Sequence, residues 1–147
     1  METKKLNYSI TRTLSIENIK DILTTAVEGG IGYWAVLCND TKEWAEAKKL
    51  AKEELGDTPC YCDVMYKMFE LNYPVIFEDN TCVEYGEDDC ERWELTLEKL
   101  LKGCKFFEER VAIHGTSLLL MLENGDFDAN DADCIIQYAL FGELTFG

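Results

Sequence analysis

The sequence predicts a single α+β domain over residues 1–147, with a mainly antiparallel sheet and three to four packed helices. Short segments of alternating polarity predict the strands, and longer segments with helical spacing of apolar residues predict the helices. No linker, internal repeat or low-complexity segment divides them. A chain of 147 residues, 47% of them hydrophobic, is long enough to bury a sizeable core.

The chain begins with a predicted strand and a predicted helix. Residues 6–14 start with the alternation typical of a half-buried strand. Ser15 is positioned to cap a helix that runs to about Glu28, because its hydroxyl can accept from the first free amides. One of the next two residues, Gly29 or Gly30, is expected to take the left-handed conformation that ends this helix.

A second strand and helix are predicted to follow. Residues 31–38 are rich in aromatic and β-branched side chains, which favours a strand. Asp40 or Thr41 then begins an amphipathic helix that ends at Leu55, before Gly56.

The middle of the chain contains one ambiguous segment and a clearer sequence of elements. Residues 57–73 fit a strand or a helix. Residues 73–85 predict two strands around a turn at Asp79-Asn80, and residues 92–95 predict another strand. Thr96 then caps a helix that extends past Gly103 to Arg110 or beyond.

The C-terminal part is predicted to end on a helix and a last strand. Residues 117–127 continue the preceding helix or form a short strand, with a loop at its end. Asp128 caps a final helix that Gly142 ends, and residues 144–146 add a strand. Tyr138 and Phe141 lie away from the apolar side of this helix, so we expect a second copy of the chain to cover them in a homo-oligomer.

The charge of the chain limits its partners. Twenty-nine acidic residues against fourteen basic ones give a net charge of −15. Such a surface repels nucleic acid and anionic membranes, so neither is expected as a direct partner. Between Glu78 and Glu94 lie eight acids and one base, Arg92, which is typical of a solubilising surface or of a protein that imitates nucleic-acid phosphates.

Motifs for catalysis, metals and cofactors are missing, so we expect no enzyme, no catalytic residue, no metal and no cofactor. The one histidine is His114. Cys60-x-Cys62 has neither redox spacing nor a second cysteine pair for zinc. The calcium-like segment 126–137 has Asp131 where the loop requires glycine. Without an export signal, all seven cysteines are expected to be reduced.

Three motifs together resemble a family of small acidic proteins encoded by phages and prophages of Gram-positive bacteria. They are EGGIGYW at 28–34, LTLEKLLKG at 95–103 and DADCIIQYALFGELTFG at 131–147. Residues 39–72 are least alike, and Ala35 stands where many relatives have cysteine. The resemblance implies a phage accessory protein that acts in the bacterial host cytoplasm, and it implies no established activity.

The first functional hypothesis is an inhibitor of host defence that sequesters a small nucleotide-derived immune signal. Tyr33 or Trp34 stacks on a purine ring, while backbone amides and basic side chains contact its phosphates. If these neighbours lie on a strand, their side chains point to opposite faces, so one fills the core and the other, Tyr33, lines the pocket. The candidate ligand-binding residues are Gly29, Gly30, Tyr33, Trp34, Arg92, Lys99 and Lys102.

The second functional hypothesis is an acidic decoy, similar in action to an anti-CRISPR protein. Its acidic surface would imitate nucleic acid and block a host nuclease or another nucleic-acid-binding defence protein. The two hypotheses place the active surface in different positions: a pocket near Tyr33, or an exposed acidic face.

Overall fold

Helices dominate the computed structural model, which describes residues 4–81, 90–112 and 116–147. Within these ranges the α+β class is confirmed, but six α-helices exceed the three to four predicted, and the sheet has only three strands. In chain order the elements are α1 (Ile16–Thr25), a π-helical segment (Ala26–Gly30), β1 (Ala35–Leu37), α2 (Lys42–Leu55), α3 (Tyr61–Glu70), β2 (Val75–Asp79), β3 (Arg92–Leu95), α4 (Leu97–Arg110), α5 (Leu118–Asn124) and α6 (Ala129–Phe141).

The sheet is antiparallel throughout, as predicted. Its strand order is β1-β2-β3, and Phe77 at its centre pairs with Leu37 on one side and Trp93 on the other. Strand alternation turns Phe77 and Leu95 into the core, whereas Glu94 is exposed.

The predicted helix boundaries at the caps are confirmed. In each case a hydroxyl or carboxylate accepts from the backbone amide three residues later, which satisfies one of the free donors of the first turn. Gly56 and Gly142 end α2 and α6 in the left-handed conformation. The confirmed caps are Ser15, Thr41, Thr96 and Asp128.

Three strand predictions need correction, and a fourth lies largely outside the described residues. Residues 6–14 alternate in polarity but pair with no described strand, so they form an extended arm that is largely exposed. Residues 31–38 give a strand only at Ala35–Leu37, because a turn occupies 32–34. Residues 144–146 also lack a strand partner. The predicted strand after Asn80 lies largely in 82–89, outside the described residues, as does His114.

The ambiguous segments are helical. Residues 61–70 form α3, which buries its apolar face in the core. Residues 118–124 form a separate helix rather than a continuation of α4 or a strand, because Ser117 caps their own first turn.

The glycines of the EGGIGYW motif act differently from the prediction. Neither Gly29 nor Gly30 has positive φ, so neither provides the left-handed end that was expected. Instead α1 widens into the π-helical segment, in which the Ile31 amide donates to the Ala26 carbonyl at 2.9 Å. A Cβ on Gly30 would lie 2.8 Å from the carbonyl oxygen of Ala129. The bare glycine therefore lets this segment approach the start of α6.

Helix α6 is the central element of the core. It packs along α4, where Gly103 leaves room for the α6 backbone, and against the π-helical segment, α1 and β3. One cluster of buried residues joins side chains from all six helices and all three strands. Tyr138 is buried against Phe106, and Phe141 contacts Trp34, so the apolar surface predicted to need a second copy is covered within the chain.

None of the helices in the described residues is long and apolar enough to cross a membrane. Cys90 is disulfide-bonded, so the prediction of seven reduced cysteines is wrong at this position. That prediction rested on the missing export signal, which does not show which thiols folding brings together. The free thiols are Cys38, Cys60, Cys62, Cys104 and Cys134.

Candidate functional site

The two aromatic residues of the EGGIGYW motif converge on one carboxylate. Tyr33 Oη donates to Asp133 Oδ2 at 2.6 Å, and Trp34 Nε1 donates to Asp133 Oδ1 at 2.8 Å. On a strand these neighbours would point apart, but here they lie within a turn in which the amides of Trp34 and Ala35 both donate to the Ile31 carbonyl. The turn therefore replaces the predicted opposite faces with a shared hydrogen-bond partner.

Gln137 extends this arrangement to the C-terminal residues. It lies one helical turn after Asp133, and its Nε2 donates to Asp133 Oδ1 at 2.9 Å. Its Oε1 accepts from the amides of Thr145 and Phe146 at 2.7 and 2.8 Å. We call Tyr33, Trp34, Asp133 and Gln137 the Asp133 cluster, which connects the turn, α6 and the C-terminal residues.

Aromatic packing fixes the same residues from the other side. Trp34 is only 3% exposed, and Phe146 stacks on its ring at 4.7 Å with an interplanar angle of 8°. Trp93 and Phe141 contact Trp34 at centroid distances of 5.5 and 5.7 Å. Trp34 is therefore a core residue, whereas Tyr33 is 53% exposed.

The exposed part of Tyr33 borders a groove of about 840 Å³ on the protein surface. Among the described residues, its other polar walls come from the end of β2 and the first turns of α6. Asn80 holds the turn in place, since its side chain donates to the Gly32 carbonyl at 3.1 Å. The groove is lined by Tyr33, Trp34, Asp79, Asn80, Thr81, Asn130, Asp133, Cys134, Gln137, Leu144, Phe146 and Gly147.

Two groups in the groove have polar atoms left for a ligand. The side-chain amide of Asn130, an exposed residue, has no hydrogen-bond partner among the described residues. Asp79 accepts from the Thr81 amide and hydroxyl through Oδ1, at 2.9 and 2.7 Å, and no described residue donates to its Oδ2. These bonds lower the pKa of Asp79, so its carboxylate stays ionised at neutral pH.

Two other titratable groups of the groove, Tyr33 and Cys134, have raised pKa values. Although the Tyr33 ring is half exposed, burial of its hydroxyl end and then the bond to Asp133 raise its pKa to about 12. Burial and the carboxylates of Asp133, Asp131 and Asp128 raise the pKa of the Cys134 thiol. A protonated phenol and a protonated thiol are poor nucleophiles, so neither is activated for covalent catalysis.

The structure brings only part of the predicted ligand set together. Tyr33 and Trp34 line the groove, but Gly29 and Gly30 face Ala129 at the start of α6. None of the predicted cationic side chains reaches the described groove walls. Arg92 pairs with Glu78 across the sheet at 3.4 Å, Lys99 donates to the Glu94 carbonyl at 2.9 Å, and Lys102 is exposed on α4.

Sequence analysis missed the two polar residues that organise the site. Asp133 and Gln137 are four positions apart within the apolar segment of α6, so they share one helix face. A polar pair with this spacing in a buried helix indicates a hydrogen-bonded network, because an unpaired polar group there is costly. Phe146 carried no such signal, since nothing in the sequence around it predicts that its ring stacks on Trp34.

Comparisons with protein-family models, curated protein sequences and solved structures found no match for this chain. The resemblance to phage proteins therefore stays a prediction.

Proposed function

We propose that this chain is a non-enzymatic binding protein that sequesters a small nucleotide-derived molecule and thereby inhibits a bacterial defence system. The observation that carries the proposal is the half-exposed Tyr33 ring, held in one orientation at the edge of a groove by its bond to Asp133. A ring that is already fixed loses little conformational freedom when a base stacks on it, which favours binding.

The groove favours recognition of the base over recognition of phosphate. Its described walls carry carboxylates and amides, and the basic side chains of Arg92, Lys99 and Lys102 lie elsewhere. A phosphate beside Asp79 would be repelled, whereas the free Oδ2 of Asp79 can accept from N–H donors on a base edge. We therefore expect guanosine, which presents adjacent N–H donors, to bind more tightly than adenosine.

A non-enzymatic role fits the chemistry of the groove. Tyr33 is committed to Asp133, and that carboxylate already accepts from three donors. General acid–base catalysis requires a group that can exchange a proton with the substrate. In the described groove Tyr33 and Asp133 are bonded to each other and the Cys134 thiol keeps its proton, so we assign the free Oδ2 of Asp79 to ligand recognition.

Calorimetry with matched variants tests the proposal. Guanosine, adenosine, GMP and a cyclic dinucleotide would be titrated into the wild type and into variants with Asn130→Ala or Tyr33→Ala. The control is Tyr61→Ala, because Tyr61 is an exposed tyrosine outside the groove. We expect base-dependent binding that the groove variants weaken at least tenfold and the control leaves unchanged. Equal binding by all four proteins, or none by the wild type, would contradict it.

The acidic decoy remains a second candidate because basic residues are missing from the C-terminal part of the chain. Residues 111–147 contain six acids and no lysine or arginine. Of the acid-rich span 78–94, Glu78, Asp79, Glu91 and Glu94 are described, and the four other acids lie outside the described residues. Salt-dependent capture of a purified nuclease, with binding weakened by lysine substitutions at Asp126 and Asp128, would favour the decoy.

Self-association is also proposed, but through the N-terminal arm. Leu6 and Tyr8 are 84% and 87% exposed, a surface that folded chains rarely leave uncovered. Residues 4–14 contain three basic side chains and no acid in a chain of net charge −15. The arm of one copy is thus complementary in charge to the body of another, which favours arm exchange between copies.

A further inference from the structure

Three metal-ligating side chains meet at the start of α3, away from the groove. Cys60 Sγ lies 2.7 Å from Cys62 Sγ and 3.1 Å from Asp63 Oδ2. All three ligand atoms lie within 4.8 Å of one another. Both cysteines are free thiols, Cys60 is exposed and Cys62 is partly buried. We call these three residues the dithiol cluster.

We propose that the dithiol cluster binds a thiophilic divalent cation, with Zn²⁺ as the natural ion, through two thiolates and one carboxylate oxygen. Sulfur and carboxylate ligands at about 2.0–2.3 Å suit tetrahedral Zn²⁺. Two sulfurs on one tetrahedral Zn²⁺ lie ~3.8 Å apart, so the thiols would separate by about 1 Å. Side-chain rotation at the helix end can provide this movement.

Local charge supports the binding of a cation. The second oxygen of Asp63, Oδ1, accepts from Lys20 Nζ on α1 at 2.9 Å, which leaves Oδ2 facing Cys60. With both thiols ionised, two thiolates and one carboxylate would face one lysine and one divalent cation. The formal charges of these groups then sum to zero. Only thiolates are metal ligands, so metal binding would release the thiol protons to solution.

Both cysteines of the dithiol cluster also line a cavity. Cys60 and Cys62 line a cavity of about 690 Å³ between α1, α2 and α3, together with Trp44 and Tyr61. Three protein ligands with an open fourth position are typical of zinc sites that bind water or an exchangeable ligand. The sequence prediction excluded zinc because it required a second cysteine pair, but the fold supplies a carboxylate and a charge-balancing lysine.

Cadmium titration tests the dithiol cluster directly. Cd²⁺ bound to thiolates gives a sulfur-to-metal charge-transfer band, and Zn²⁺ should displace it. The proteins are the wild type, a Cys60→Ser/Cys62→Ser double variant, Asp63→Asn, and Cys134→Ser as a control for a free thiol elsewhere. Asp63→Asn preserves the cap, because Asn18 occupies the same position in the capping box of α1.

We expect one Cd²⁺ per chain in the wild type and in Cys134→Ser, with release of about two protons per metal. The double variant should lose the band, and Asp63→Asn should bind at least tenfold more weakly. Thiol counting should show two more free thiols in the wild type than in the double variant. Absence of the band in the wild type, or its persistence in the double variant, would overturn the proposal.

Discussion

Replacing Asp133 by alanine should be among the most destabilising single changes in the described site. The carboxylate accepts from Tyr33, Trp34 and Gln137 at 2.6, 2.8 and 2.9 Å. The Trp34 ring is nearly fully buried, so its Nε1–H would have no water to replace the lost acceptor. An orphaned buried donor costs about 1–3 kcal/mol, and each bond to a charged group contributes about 1.5–3 kcal/mol. Since these terms overlap, we expect a total loss of ~3–5 kcal/mol.

Asp133→Asn provides the matched comparison. The amide oxygen can still accept from Trp34 and Gln137, but its NH₂ group faces the Tyr33 hydroxyl instead of accepting from it. We expect a loss of ~2 kcal/mol, because charge-assisted bonds become neutral ones. Urea unfolding of both variants, monitored by circular dichroism, measures these values. If Asp133→Ala lost less than ~1 kcal/mol, the carboxylate would not hold the turn, and the explanation of the site would be wrong.

Four other predictions concern the aromatic pair, the Tyr33 phenol, the packing of α4 on α6 and the N-terminal arm. Trp34→Ala should cost ~3–5 kcal/mol in urea unfolding because it removes the centre of the aromatic cluster, whereas Tyr33→Ala should cost less; equal losses would contradict the assignment of core and site. The phenol of Tyr33 should ionise near pH 12. The difference in tyrosinate absorbance between wild type and Tyr33→Phe would measure this ionisation. Because the folded-state pKa of Tyr33 exceeds its unfolded value, the stabilising contribution of the phenol is complete below about pH 10 and is lost as pH rises through 12. Gly103→Ala should lower the free energy of unfolding by ~1–3 kcal/mol although alanine has the better helix propensity, since the new methyl group would meet Ala139 Cβ at 2.9 Å. An unchanged melting temperature would refute the close packing of α4 on α6. Light scattering should show an oligomer that Leu6→Glu with Tyr8→Glu converts to a monomer, and a monomeric wild type would refute arm exchange.

Local signals in the sequence predicted local structure well. Ser15, Thr41, Thr96 and Asp128 began helices where predicted, because capping depends on a few neighbouring residues. The strand predicted at residues 6–14 failed for the opposite reason. Alternation describes one strand, whereas a strand exists only when another supplies its hydrogen bonds.

The site could be predicted only in part. The aromatic pair was recognised, but strand alternation gave the wrong relation between Tyr33 and Trp34, because the π-helical segment and its turn depend on contact between Gly30 and α6. The basic residues were chosen for charge alone, and charge does not show where the fold places a side chain. Asp133 was recognised only as part of the motif at 131–147, although its spacing from Gln137 carried the relevant signal.

The most direct test of the proposed function is a titration of isotope-labelled protein with guanosine, followed by amide chemical shifts. Binding in the groove should shift the amides of Tyr33, Asn130 and the C-terminal residues 144–147 in a saturable way, with smaller shifts for adenosine. The Asn130→Ala protein should require a higher guanosine concentration for the same shifts. Saturable shifts confined to surfaces outside the groove, or no shifts with either nucleoside, would contradict the proposal that this groove binds a nucleobase.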